Sequence, residues 1–311
     1  MKDKPLAGID IGTNTFRLLI ANIEESPAGY MINEIDSERV IIRLGEGLSD
    51  GGLLRWDVMD RAIETLKDFR KRMLRHNVSS FYAVGTSALR EAINKDVFIK
   101  RAIDEAGIDV RIIDEKEEAR LTSIGMTMDI REAGSSILID IGGGSTEFIF
   151  MKDNNIEDIR SIRLGVVYLT ERYMRHDPPT DEEIMDMTDE IARKLEDIKG
   201  VRGGPLLIGT AGTITTISAI SQGLDVHSHE RIHKSRVSLD FIERLWDEIK
   251  GMEMSRRAVV YPILRDRRMD IIVPGVLILK MVMVRFNFKE ILVSDNGLRE
   301  GIIIELYRTE R

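Results

Sequence analysis

The feature that most constrains this chain is an internal repeat. Leu6–Ile20 reads LAGIDIGTNTFRLLI and Ile137–Phe150 reads ILIDIGGGSTEFIF. Each copy runs an apolar strand into Ile-Asp-Ile-Gly, then small or polar residues, then a second apolar strand. Asp10 aligns with Asp140 and Gly12 with Gly142. Two copies separated by nearly half the chain imply two similar domains facing each other. Each copy predicts a β-hairpin closed by a tight, glycine-bearing turn. The length of 311 residues agrees, because a domain takes roughly 100–200 residues.

The rest of the pattern alternates strands and helices. Met59, Ile63, Leu66 and Met73 recur at helical spacing within Trp56–Leu74. Ser80–Val84, Asp109–Ile113 and Pro205–Ile208 read as short strands, the last leading into a glycine turn at Gly209–Gly212. Asp114 with Glu117, and Thr180 with Glu183, predict helix starts closed by capping boxes. The apolar run Ile271–Val284 contains Pro274 and Lys280 and is too short to span a bilayer. It is expected as a buried helix. The domains are expected as residues 1–128 and 129–311, with the last helix free to pack back on the first.

Composition narrows the function. The net charge of −8 argues against a nucleic-acid partner, while a local basic surface still permits a polyanionic substrate. With no cysteine there is no disulfide framework, thiolate metal site or cysteine nucleophile. The start of the chain lacks the apolar stretch of a signal peptide, and no membrane partner is expected. The expected location is cytoplasmic, and a homodimer is the base-rate expectation for assembly.

The repeated turns carry the chemistry. Glycine at 12, 142, 143 and 144 lets backbone N–H groups approach an anion without interference from Cβ. Thr13, Asn14 and Thr15 add donors in the first turn, and Ser145 and Thr146 in the second. Asp10 and Asp140 end the strands just before the turns. A carboxylate beside a phosphate cradle is repulsive unless a cation lies between them, which points to Mg²⁺, with Mn²⁺ as the alternative.

Gly85–Arg90 (GTSALR), Glu117–Leu121 (EEARL), Asp140–Glu147 (DIGGGSTE), Gly209–Thr213 (GTAGT) and Ser294–Gly301 (SDNGLREG) follow one another in this order. Together they resemble the exopolyphosphatase and guanosine pentaphosphate phosphatase family, from the first strand to the last helix. The resemblance implies an α/β fold of two ribonuclease-H-like, actin-like ATPase domains with a cleft between them. It implies hydrolysis of the terminal phosphate of inorganic polyphosphate, with guanosine pentaphosphate as the alternative substrate. A non-catalytic sensor of nucleotide or polyphosphate is the third reading.

The resemblance also implies roles. Glu118 matches the general base, which the residues alone do not separate from Glu117. Arg90 would grip phosphate and offset transition-state charge. Glu147 joins Asp140 and Asp10 as a metal-site carboxylate. Among Arg256, Arg257, Arg265, Arg267 and Arg268, the match selects Arg268 for a phosphate track. His227, His229 and His233 are too loosely spaced, without a carboxylate completing the set, to predict a zinc site.

Overall fold

The computed structural model describes residues 4–26, 29–130, 134–153, 155–199, 206–265 and 269–310. The chain forms two compact units. One comprises Met1–Arg131 with Asn296–Arg311, and the other Glu132–Asp295.

The first unit is built on five strands, β1 (Leu6–Ile11), β2 (Thr15–Ser26), β3 (Gly29–Ile41), β4 (Ser80–Gly85) and β5 (Val110–Ile112), in the order β3-β2-β1-β4-β5. The first three are antiparallel neighbours, and β4 and β5 continue the sheet in parallel. β1 is buried along its whole length, as expected of a strand with neighbours on both edges and helices on both faces. Ala7, Ile9 and Ile11 pack with Val58, Met59, Ile63, Leu66 and Phe69 of the helix Trp56–Arg75. Leu6, Leu19 and Ala21 face the opposite way, against Ile303, Ile304 and Tyr307 of the C-terminal helix Leu298–Thr309.

That helix lies unusually close to its neighbours. A Cβ on Gly301 would stand 1.8 Å from the Leu121 carbonyl oxygen, and one on Gly125 would stand 1.9 Å from that of Gly297. The C-terminal helix and the helix Glu115–Thr127 therefore meet backbone to backbone. The Leu-Arg-Glu-Gly string that ends the last motif is in this respect a packing device.

The second unit repeats the plan. Its strands are β6 (Ser135–Ile141), β7 (Thr146–Lys152), β8 (Asn155–Ile162), β9 (Leu206–Thr210), β10 (Arg236–Ser238) and β11 (Glu290–Val293), in the order β10-β11-β9-β6-β7-β8. Again three antiparallel strands, β8, β7 and β6, are followed by parallel β9 and β11, with the short β10 added antiparallel at the edge. The helix Ile272–Arg285 is buried along nearly all of its first eleven residues, which accounts for its apolar character all round. No described helix is long and apolar enough to cross a membrane.

Two capping expectations part ways. Thr180 and Glu183 form the full reciprocal box. Asp114 accepts the Glu117 N–H at 2.8 Å, but the Glu117 carboxylate does not reach back. It pairs with Arg120 at 2.8 and 2.9 Å, and Arg120 also donates to Glu305 of the C-terminal helix. The glycine turn expected at Gly209–Gly212 is instead a strand running directly into the helix Ala211–Ser221, with Ala211 at φ +71°.

Candidate active site

The two turns are the same structure twice. The Gly12 N–H donates to the Thr15 carbonyl at 3.1 Å, and the Gly142 N–H to the Ser145 carbonyl at 2.9 Å. The strand registers match as well: Ile11 opposes Phe16 and Ile141 opposes Thr146.

Each turn has its carbonyls tied from behind by a segment that sequence reading did not single out. In the first, the Asn14 carbonyl accepts from the N–H groups of Ile42 and Arg43, and the Thr13 carbonyl from Gly45. In the second, the Gly142 carbonyl accepts from Val166, and that of Gly143 from Val167 and Tyr168. The N–H of a peptide points opposite to its C=O. Fixing the carbonyls on one side therefore leaves the amide hydrogens for the other, the arrangement that favours an anion. The second tie needs Gly165, where a Cβ would lie 2.2 Å from the Gly143 carbonyl oxygen.

Within the first unit, three strands deliver residues at their C-terminal ends, the usual place for ligand binding on parallel sheets. β1 delivers the turn. β4 ends at Gly85, and Thr86 bonds back to the Ile11 carbonyl through its N–H at 3.3 Å. The short helix Ser87–Glu91 follows, with Arg90 in its last turn. β5 leads to Asp114 and the helix carrying Glu118. Arg90 donates to the Glu118 carboxylate at 2.6 Å and to the Ile113 carbonyl at 3.1 Å. Glu115 stands 3.3 Å from the same guanidinium. The Arg90 and Glu118 side chains are nearly buried, at 14% and 13% exposure. The sequence thus brings together its two candidate catalytic residues from positions far apart in the chain.

The carboxylates beside the turns differ. Asp140 lies directly opposite Glu147 across β6 and β7. Glu147 is 2% exposed and accepts from the Ser161 hydroxyl at 2.9 Å. Asp10 lies directly opposite Arg17 across β1 and β2. Burial pushes the Asp10 carboxyl above its ordinary range, against the opposing pull of Arg17 and Arg299.

Several expectations need correction. The Thr146 hydroxyl is fully buried and donates to the Leu164 carbonyl, so it holds the turn in place and is not a phosphate donor. Arg257, one of the five arginines weighed for a phosphate track, is buried. It is 0% exposed and donates to the Met269 carbonyl at 2.9 Å, with Asp177 3.2 Å away. Arg267 and Arg268 lie outside the described residues. The histidines do have a carboxylate: His227 and His229 both bond one Asp295 oxygen, at 2.9 and 2.8 Å. The Asp295 N–H donates to His233 at 3.2 Å. Among the described residues, no three His, Asp or Glu side chains are arranged to hold a metal ion.

Comparison with known proteins settles the family. Residues 20–310 match the model of the Ppx/GppA phosphatase family. Exopolyphosphatase 2 of Mycobacterium tuberculosis is 30% identical over 316 residues, covering 97% of this chain and 98% of its own. The chain belongs to the Ppx/GppA phosphatase family. The crystal structure of an exopolyphosphatase from Cytophaga hutchinsonii superposes with a TM-score of 0.88 at 30% identity, covering 98% of each chain. A second Ppx/GppA relative is the guanosine-5'-triphosphate,3'-diphosphate pyrophosphatase of Vibrio atlanticus. It is 27% identical, matching 96% of this chain and 59% of its own. Sequence reading reached this Ppx/GppA family from its motifs. It missed the buttresses Gly45 and Gly165, because neither belongs to a recurring local pattern.

Proposed function

We propose that this chain is an exopolyphosphatase that removes the terminal phosphate of inorganic polyphosphate. The observation that carries the reading is the Arg90–Glu118 pair at 2.6 Å, on the helices that follow β4 and β5, in the sheet whose β1 leads into the first anion-favouring turn. A guanidinium supplies a fork of donors for phosphate oxygens. A carboxylate beside it suits the positioning of water.

In this reading the terminal phosphate takes the free amide edge of the first turn and the Arg90 guanidinium. Phosphate replaces part of the Arg90–Glu118 contact, releasing a Glu118 oxygen to accept from a water. That water's oxygen bonds to the terminal phosphorus while the bridging P–O bond breaks. Glu118 takes the water's proton. The products are inorganic phosphate and a chain one unit shorter. Preorganised donors meet the charge that develops on the transferred group.

Asp140 and Glu147 fit a divalent cation. Like charges directly opposite each other on neighbouring strands are destabilising unless offset. Mg²⁺ is characteristically held by one or two carboxylates plus waters and substrate phosphates, so a pair of carboxylates suffices without a third protein ligand. When bound, Mg²⁺ or Mn²⁺ would neutralise charge on the phosphate oxygens.

Guanosine pentaphosphate is the competing substrate, favoured by the likeness to the Vibrio protein. Phosphate release from polyphosphate and from guanosine pentaphosphate, measured side by side, decides the matter. Faster release from polyphosphate is expected. Release from the nucleotide alone would replace this reading with the other.

A further inference from the structure

Glu115, Glu117 and Glu118 all stand in the first turn of the helix Glu115–Thr127. Side chains three apart on a helix share a face, and adjacent ones do not. Glu115 and Glu118 therefore project together and both meet Arg90. Glu117 points elsewhere, to Arg120. We propose that Glu115 is a positioning residue. It shares the Arg90 guanidinium with Glu118, so that Glu118 can let go of the cation and turn to water. The inference rests on the reading that Glu118 positions the attacking water.

The two contacts are unequal and lie on different edges of the guanidinium. Arg90 Nη1 donates to Glu118 at 2.6 Å, while Glu115 stands 3.3 Å from Nε. The Ile113 carbonyl also accepts from Nη1, at 3.1 Å. A guanidinium bonded this closely makes a carboxylate a weaker base and occupies one of its oxygens. For Glu118 to act, Arg90 must pass its bond from that oxygen to phosphate without leaving the site.

Glu115 is placed to keep Arg90 there. The donors of a guanidinium form a rigid planar fork, so a carboxylate on the Nε edge and a carbonyl on Nη1 fix its plane while the Glu118 contact breaks. Glu115 is 51% exposed, against 13% for Glu118. Water therefore screens its pull, and phosphate can still take the guanidinium. A carboxylate in the first turn of a helix also favours the helix itself, but that effect adds stability and leaves turnover alone.

The test compares Glu115→Gln with Glu117→Gln in the full chain, since each removes one charge from the same helical turn. Glu115→Gln should lower kcat on polyphosphate roughly 2- to 5-fold, the worth of a half-exposed ion pair. Its KM should be unchanged or lower, because a charge that repels the polyanion is gone. Glu117→Gln should keep kcat near the parent's. Glu115→Asp should recover part of the loss, since the charge returns at shorter reach. In an Arg90→Gln background, Glu115→Gln should have no further effect, because Glu115 acts through Arg90. The NMR signal of the Arg90 Nε–H, assigned by its loss in Arg90→Gln, reads the contact without turnover. Glu115→Gln should shift that signal, and Glu117→Gln should not.

The proposal is overturned if Glu115→Gln keeps the parent's kcat, whether or not its Tm falls, or if its effect persists in the Arg90→Gln background. It is equally overturned if Glu115→Gln leaves the Arg90 Nε–H signal in place. Hydrolysis of polyphosphate by the parent chain is scored separately. Its absence would defeat the proposed function, while the Arg90 signal and turnover of guanosine pentaphosphate would still decide the role of Glu115.

Discussion

The turns at 12–15 and 142–145 are closed by the same hydrogen bond and each has carbonyls tied from behind, yet the charges beside them differ. In the first, the strand-end carboxylate opposes an arginine, and burial lifts its pKa. In the second it opposes another carboxylate. A third strand-end aspartate, Asp295 after β11, shows the other extreme. Burial works to raise its pKa, but hydrogen bonds from His227 and His229 outweigh burial and hold it well below the ordinary range. Backbone geometry makes an anion cradle possible; the side chain across the strand sets the charge beside it.

The largest effect is expected at the second hairpin. Asp140→Asn or Glu147→Gln should lower kcat by about 10³-fold or more, since metal ions contribute several kcal/mol of charge stabilisation. Raising the metal concentration should recover part of the loss for Asp140→Asn. Titrating Mg²⁺ against phosphate release checks this, and unchanged turnover in excess chelator would remove the metal from the account.

Buttressing gives a matched pair of smaller effects. Alanine at 165 would place Cβ 2.2 Å from the Gly143 carbonyl oxygen and 2.5 Å from the Gly144 carbonyl carbon, so backbone must move. Alanine at 45 would meet the Thr13 methyl at 2.4 Å, but no backbone atom nearer than 3.7 Å, and the Thr13 side chain can turn to another rotamer. Gly165→Ala should therefore raise KM about tenfold or more, and Gly45→Ala only a few-fold, by the usual cost of misplaced binding groups. Equal effects would mean that the ties do not shape the turns.

The smallest effect concerns Asp295. A carboxylate with a depressed folded-state pKa adds stability above its unfolded pKa, and that contribution fades as pH falls toward the folded value. Asp295→Asn should lower Tm by a few degrees at pH 7. The gap to the parent should stay full down to about pH 4 and narrow below it. Calorimetry across that range checks the sign; a gap that widens on acidification would contradict it.

Much of this was legible in sequence because it repeats or is locally periodic. The doubled Asp-Ile-Gly gave both hairpins and their turns, and the spacing of Met59, Ile63, Leu66 and Met73 gave the long helix. The outer strands β3 and β8 escaped because most of their residues are exposed or half-buried, so no apolar alternation marks them. Gly45 and Gly165 escaped because what they touch lies 20 or more residues away in sequence. Glu117 was read as a box partner when Arg120, three residues on, was the stronger attraction for its carboxylate. Arg257 was read only as one of a run of arginines, and only the fold reveals its burial.

The adjacent glutamates 117 and 118 offer the most direct test of the central claim, that this chain hydrolyses polyphosphate with Glu118 positioning the water. Glu118→Gln keeps the shape of the side chain and removes its charge. Turnover of polyphosphate should fall roughly 10²–10⁴-fold, with substrate affinity retained, because the turn and Arg90 remain. Glu117→Gln should keep turnover near the parent's and cost at most about 1 kcal/mol through its pairing with Arg120. If Glu117→Gln abolishes turnover and Glu118→Gln does not, or if neither matters, the claim is contradicted.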